Sequence, residues 1–371
     1  MRAAIVHYWL LNMRGGEKVV EAICRLLPEA DIFTLFYDPE RVSPFLRSRR
    51  ITPSFLQPLR RHHRSVLPLM PMALENFDLR EYDLILSSES GPAKGVIAPS
   101  HAHHICYCHT PMRYLWELYP AYRNDWTKSR LKRALMTPVA HYLRLWDYAS
   151  AARVDQFVAN SENVRQRIAK TYRRESEVIY PPVAVEIFYE KPSQDYYFIA
   201  SELVAYKRID TAVRVFSQSG RKLKIAGDGP EFAKLKRLAA PNIEFCGRVS
   251  DADLRELYAR CRAFVMPAEE DFGMTAVEAL ASGKPVIAFG RGGALETVPC
   301  YGGVLYPEAT DASLAEAVTQ CDSLETDPVD LQTWALRFSE AEFASKMRRI
   351  LDDATQHPSR TRGAANAVFN A

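Results

Sequence analysis

At 371 residues and 47% hydrophobic, the chain is long enough for two or three domains with full cores. No apolar stretch approaches the ~20 residues needed to span a bilayer as a helix, and the seven cysteines are scattered without a C-x-x-C pair, which favours reduced structural thiols over disulfides or a zinc site. The net charge of +3 is uneven: 26 Lys and Arg stand against 20 Asp and Glu through residue 190, and 22 against 25 beyond it.

The opening run MRAAIVHYWLL is expected as a first buried strand rather than a signal peptide, because GGEKVVEAI follows at once as a helix. Gly15 and Gly16, with Glu17, are expected as a glycine turn before that helix. Bare backbone there can approach an anion closely, although a simple tight turn explains the pair almost as well. DIFTLFY, DLILSS and HHICYCH follow as short apolar runs separated by helical or irregular stretches. Between the first two, Arg41 to Leu74 holds seven arginines, two histidines and no acidic residue, interleaved with Phe45, Phe55, Leu59, Leu67, Leu69, Met70 and Met72. A second basic and apolar stretch runs from Lys128 to Met136. The sharper reading of both is docking on anionic lipid headgroups; the blander one is a solvated positive face over ordinary core residues. Nucleic-acid binding is not expected, since no helix-turn-helix, zinc or RNA-binding motif accompanies the charge.

His109 ends an apolar strand and precedes Thr110 and Pro111, so it is expected at the mouth of a site, with Arg113 and Tyr114 nearby. His101, His103 and His104 precede the strand without partner residues and are read as surface or structural. Near YPPVAVEIFYEKPS the pattern turns extended and proline-rich, a linker between a domain over 1–190 and one over 191–357, with a tail at 358–371.

The second series is YYFIAS, a helix from about Lys207, KLKIAGDGP, NIEFCGRVS, AFVMP and PVIAF. Such alternation predicts an α/β protein with parallel sheets covered by helices. The most informative segment is Phe264 to Val298, which reads as strand, loop, helix, strand, glycine loop and helix. Gly283 marks the end of its first helix. A carboxylate in the first loop, Glu270, is followed eight positions later by Glu278 on that helix. Loops at the carboxyl ends of strands form the ligand crevice of such sheets, and amides opening a helix there face anions. Donors for phosphate beside acceptors for hydroxyls point to a nucleotide sugar.

The run E-D-F-G-x4-E-A-x-A-x-G-x-P-V from Glu270, with Gly292 and Gly293, is similar to the E-x7-E signature of family-4 retaining glycosyltransferases. MRGGEKVVEA, CYCHTPMRYLWELY and VANSENVRQRI extend the resemblance into the first half. It implies the GT-B fold: two Rossmann-like, doubly wound domains facing across a cleft, the second holding the nucleotide sugar and the first the acceptor. By resemblance Glu278 binds the ribose hydroxyls. Glu270, with the amides of Phe272, Gly273 and Met274, holds the hydroxyls of the transferred sugar, and Thr275 reaches the diphosphate. Lys207 falls on the family lysine that meets the leaving diphosphate, with Arg208 beside it and Gly15 and Gly16 approaching from the first domain. His109 contacts the reacting sugar or the acceptor.

Helix capping by Glu270 and a solvated helix-start lysine at Lys207 are the competing structural readings. One departure stands out: Ser201 and Glu202 replace the usual Gly-Arg, which puts a two-cation diphosphate clamp in doubt. Asp251 and Asp253 have the spacing of a metal-binding D-x-D, but Ser250 or Asp251 capping a helix with Asp253 in its first turn explains them. GDGP is expected as a strand-end turn. No metal or other cofactor is expected.

The resemblance is strongest to bacterial O-antigen and exopolysaccharide mannosyltransferases. It implies transfer of mannose from GDP-mannose to a polyprenyl-diphosphate-linked saccharide, by a cytoplasmic enzyme peripheral on the inner face of the membrane. A soluble sugar or sugar-phosphate glycoside synthase of the same fold, and a catalytically idle binding subunit, are the alternatives.

Overall fold

The computed structural model describes residues 1–120, 123 and 130–356. The chain divides into two compact units, one made of Met1–Tyr180 with the segment from Ala344 onward, the other of Pro181–Phe343. In the first, β1 (Ala3–His7), β2 (Asp31–Thr34), β3 (Ile51–Pro53), β4 (Leu84–Glu89), β5 (His103–Cys108), β6 (Gln156–Ala159) and β7 (Ser176–Val178) form a parallel sheet ordered β3-β2-β1-β4-β5-β6-β7. Strands β1, β2, β4 and β5 are buried at every position. Parallel strands covered on both faces read as continuous apolar runs rather than alternating ones. His103 and His104 belong to β5 and are buried, in keeping with a structural role.

The second unit repeats the plan. β8 (Tyr197–Ala200), β9 (Leu223–Ala226), β10 (Ile243–Gly247), β11 (Phe264–Met266), β12 (Val286–Phe289) and β13 (Gly303–Tyr306) are ordered β10-β9-β8-β11-β12-β13, all parallel. Phe216 of the helix Ile209–Ser219 and Leu314 and Val318 of the helix Asp311–Asp322 join Ile199, Ile225, Val265 and Ile287 in one core. Each fully buried side chain of this kind contributes about 1.5–3 kcal/mol. Both sheets reverse strand order once, between β1 and β4 and between β8 and β11. Connections leave such a point in opposite directions and open a crevice beyond the carboxyl ends of the strands.

The division between units differs from the expected boundary at 190. Residues 181–190 belong to the second unit, and the strap that follows is tied down there. Lys191 N–H donates to the Ala259 carbonyl at 3.2 Å and Gln194 N–H to that of Arg260 at 2.7 Å. The ammonium of Lys284, 3% exposed, bonds the Lys191 carbonyl at 2.7 Å and the Ser193 hydroxyl at 2.9 Å. A second difference is at the far end. The helix Glu340–Gln356 is expected in the second domain, yet from Ala344 it belongs to the first unit, where Arg349 pairs with Glu177. The tail at 358–371 and, of the stretch Lys128–Met136, Lys128 and Ser129 lie outside the described residues; the rest of that stretch opens the helix Arg130–Ser150.

One cluster in the first unit carries charge without exposure. Lys94 is wholly buried between Glu89 and Asp147. Its ammonium meets Glu89 Oε1 at 2.9 Å and also Asp147, and sits 4.7 Å from the Tyr172 ring centre. Trp116 Nε1 and the Tyr172 hydroxyl donate to Asp147 at 2.8 and 3.0 Å. Two carboxylates share one ammonium, so burial pushes Glu89 up to about 7 although Lys94 pulls it down. A carboxyl raised by folding stabilises most below its ordinary range, and that contribution is lost as pH rises through about 7. Lys94→Met should strip both carboxylates of their counter-ion and cost about 3–5 kcal/mol in urea unfolding. A loss below about 1 kcal/mol, the worth of a surface pair, would contradict this account.

Candidate active site

In the first unit, the strand ends at the reversal bring together His7 from β1, Ser88 from β4 and His109 after β5. His7 and Ser88 are register partners in neighbouring strands. His7 Nδ1–H donates to the Ser88 carbonyl at 3.0 Å, which leaves Nε2 as an acceptor. The Ser88 hydroxyl lies 2.8 Å from His109 Nε2, and His109 N–H donates to the Glu89 carbonyl at 2.7 Å. Gly16 faces this group: a β-carbon there would stand 3.6 Å from His7 Cε1, 3.7 Å from the Tyr8 hydroxyl and 3.8 Å from His109 Nε2.

Gly15 and Gly16 are not the expected turn before a helix. They are the first two residues of the helix Gly15–Leu26 itself. The reason is Glu17, whose carboxylate accepts the Arg14 N–H at 3.0 Å and so closes the helix start one residue upstream of the glycines.

In the second unit, Lys207 ends the short turn after β8 and Glu270 stands in the loop after β11, the two strands flanking the reversal. Their side chains form an ion pair. Burial lowers the Lys207 pKa, but the Glu270 charge and those of Tyr206 and Asp271 outweigh it, and the net shift is upward. Lys207 is a permanent cation at neutral pH.

Two glycines set the loop. Gly273, at φ +93°, adopts a left-handed backbone that starts the helix Met274–Ala281. Gly293 donates to the Glu270 carbonyl at 2.8 Å, and a β-carbon on it would lie 2.2 Å from the Phe272 carbonyl oxygen. Phe272 turns inward, edge-on to Phe338 at 5.4 Å. The first helical bonds run from Ala276 and Val277 to Gly273. The amides of Met274 and Thr275 therefore precede the helix's own ladder and point outward from its start.

Glu278 is buried on this helix and accepts the Tyr258 hydroxyl at 2.9 Å. Arg208 diverges from Lys207: it takes a left-handed backbone, φ 53°, and its guanidinium bonds the Ala309 carbonyl and approaches Thr211. Ser250 caps the helix Asp251–Arg260 by accepting Asp253 N–H at 3.1 Å, with both aspartates in the first turn. In GDGP, β-carbons on Gly227 and Gly229 would strike the carbonyl oxygens of Ser201 and Leu203 at 1.8 and 2.4 Å; these glycines let the loops after β8 and β9 touch. His7, Ser88 and Tyr258 do not stand out in the sequence. The sequence leaves His7 inside the first strand; strand pairing brings Ser88 to it, and the approach of the helices Asp251–Arg260 and Met274–Ala281 brings Tyr258 to Glu278.

This architecture is the GT-B fold; residues 13–187 match the model of Glycosyltransferase Family 4 and residues 186–333 that of Glycosyl transferases group 1. It is 30% identical over 159 residues to the O-antigen chain mannosyltransferase RfbU of Salmonella typhimurium, covering 39% of this chain and 45% of that protein. It is 36% identical over 120 residues to a GDP-mannose-dependent alpha-mannosyltransferase of Mycolicibacterium smegmatis, covering 32% of each. The chain thus spans about half the length, or less, of the curated relatives it matches. Among solved structures, Anabaena HepE in complex with UDP-glucose superposes with a TM-score of 0.69 at 17% identity, covering 95% of this chain and 99% of that one.

Burial lowers both histidines of this group, His109 to about 4 and His7, which also faces His109, to about 3. A base lowered by folding stabilises above its ordinary pKa, and that stability is lost as pH falls toward these values. His109 is a neutral ring at physiological pH. Its ring protons should show no NMR titration between pH 5.5 and 8; a midpoint near 6.5 would mean the ring is solvated and free to charge.

Proposed function

We propose that the protein is a retaining hexosyltransferase that moves mannose from GDP-mannose to a lipid-linked saccharide during surface-polysaccharide synthesis. The observation that carries this reading is the Lys207–Glu270 pair at the strand-order reversal of the second unit. It sets a permanent cation beside a carboxylate, next to outward-facing amides at a helix start. A cation and amides suit a diphosphate; a carboxylate suits sugar hydroxyls.

In the mechanism we infer, the acceptor hydroxyl attacks from the face the diphosphate leaves, and a leaving phosphate oxygen takes its proton. Lys207 and the amides of Met274 and Thr275 stabilise the charge that develops on that oxygen. Glu270 orients the sugar, and Glu278, aligned by Tyr258, holds the ribose. His109, kept neutral, serves the sugar or the acceptor as a hydrogen-bonding ring. No protein nucleophile and no metal are required, because charge stabilisation comes from Lys207 and backbone dipoles. Mannose and guanine rest on the relatives named as GDP-mannose-dependent mannosyltransferases.

GDP and GDP-mannose should raise the unfolding temperature more than UDP, UDP-glucose or UDP-N-acetylglucosamine at equal concentration, and should do so in excess chelator. Glu278→Ala should reduce that shift. A larger shift with a uridine nucleotide would remove the mannosyl assignment, and loss of activity on chelation restored by Mg²⁺ would remove metal independence.

Attachment to the inner face of the membrane is supported by the acid-free stretch. Phe55, Leu59, Leu69 and Met72 are exposed there, alternating with Arg60, Arg61 and Arg64 around the 3₁₀ segment Gln57–Leu69. No helix among the described residues is long and apolar enough to cross a membrane. Each basic group near an anionic surface contributes about 1 kcal/mol, screened within about 8 Å at physiological salt. The protein should co-sediment with vesicles containing phosphatidylserine, and replacing Arg60, Arg61 and Arg64 by Gln or raising salt should release it. Equal binding to neutral vesicles would count against this surface.

A further inference from the structure

The Lys207–Glu270 ion pair joins two side chains to which the proposed reaction gives separate tasks, and its meaning for donor binding rests on that reading of the site. The Lys207 ammonium lies against the Glu270 carboxylate and 5.6 Å from the Tyr206 ring centre, with the Asp271 charge adding to the field. The side chains keep 21% and 22% of their surface exposed, so a ligand can reach both. The main chain of Glu270 is held independently. Its carbonyl accepts from Gly293 N–H at 2.8 Å and the residue bridges to Gly292. The carboxylate can therefore change partners while the loop stays in place.

An ammonium has three donors and one charge. If a diphosphate meets Lys207 while Glu270 remains on it, two anions face each other across one cation. We propose that Glu270 is the counter-ion that the donor's diphosphate displaces from Lys207, so that the carboxylate turns to the sugar hydroxyls as phosphate takes over the ammonium. Glu270 thereby has two roles, a brake on diphosphate binding and a grip on the sugar. Diphosphate and sugar then bind cooperatively, each making the other's partner available, and a free monosaccharide must compete with the ion pair for Glu270.

The test is isothermal titration of the full chain with GDP and with UDP, in wild type, Glu270→Gln, Lys207→Met and the double variant. Glutamine keeps the shape and one acceptor oxygen of the side chain, replaces the other with an amide donor and removes the charge. Glu270→Gln should bind the nucleoside diphosphate up to about fivefold more tightly, the range set by releasing one partly exposed ion pair, while sugar transfer slows. Lys207→Met should weaken binding, and the double variant should match Lys207→Met, because the gain acts through the lysine. If Glu270→Gln unfolds at the wild-type temperature and binds no more tightly, the exchange is overturned while the donor assignment stands. If neither nucleotide binds wild type or any variant, the donor assignment falls and the exchange with it.

Discussion

The second unit depends on one close approach, the α-carbon of Gly293 against the carbonyl of Phe272. That contact lets the loops after β11 and β12 run side by side, and the bond from Gly293 N–H to the Glu270 carbonyl fixes their register. The Glu270 side chain then projects toward the turn after β8, and the left-handed Gly273 launches a helix whose next turn carries Glu278. Any side chain at position 293 would drive the loops apart and move the carboxylate, the outward amides and the helix start together. Backbone proximity sets the geometry, and the charged side chains exploit it.

The same sheet plan is used twice with opposite electrostatics. At the reversal of the first unit burial keeps two histidines neutral and hydrogen bonds align them. At that of the second a full charge is retained and matched by an opposite one. Desolvation disfavours charge at both, but only Lys207 has a carboxylate within contact distance to offset it. Directly behind His109, the Lys94 cluster shows the cost of burying ions with incomplete balance, since two carboxylates share one ammonium. Its bonds to Trp116 and Tyr172 tie β4, the segment after β5 and the helices at 130–150 and 162–172 to one point.

How much of the molecule is legible in its sequence depends on how local each feature is. The long buried strands are legible because parallel strands covered on both faces need continuous apolar runs. β3, β6, β7 and β13 are not; β3 and β7 are three-residue edge strands with little burial, β6 is a four-residue run, and β13 begins at a glycine that must lie against the Val286 carbonyl. Lys207 and Glu270 are each legible from neighbouring motifs, but their pairing spans 63 residues and exists only because β8 and β11 are adjacent. Tyr258 sits in a helix whose pattern gives no hint that its hydroxyl reaches Glu278. The compact units divide at Tyr180 rather than near 190, and the proline-rich, extended sequence does not show that the strap is bound by Lys284, Ala259 and Arg260.

The helix Glu340–Gln356 has a consequence for how the chain matures. Its residues from Ala344 complete the first unit, so that unit is assembled from two stretches separated by the whole of the second. Met347, Ile350, Leu351 and Ala354 are buried, and Arg349 pairs with Glu177. At a synthesis rate of about 5–20 residues per second, these apolar positions emerge roughly ten to thirty-five seconds after Tyr180. Through that interval the first unit lacks the residues that complete it, while the second unit, contiguous in sequence, can finish first. Until the helix Glu340–Gln356 emerges, the first unit is therefore incomplete and open to proteases and to association with other chains.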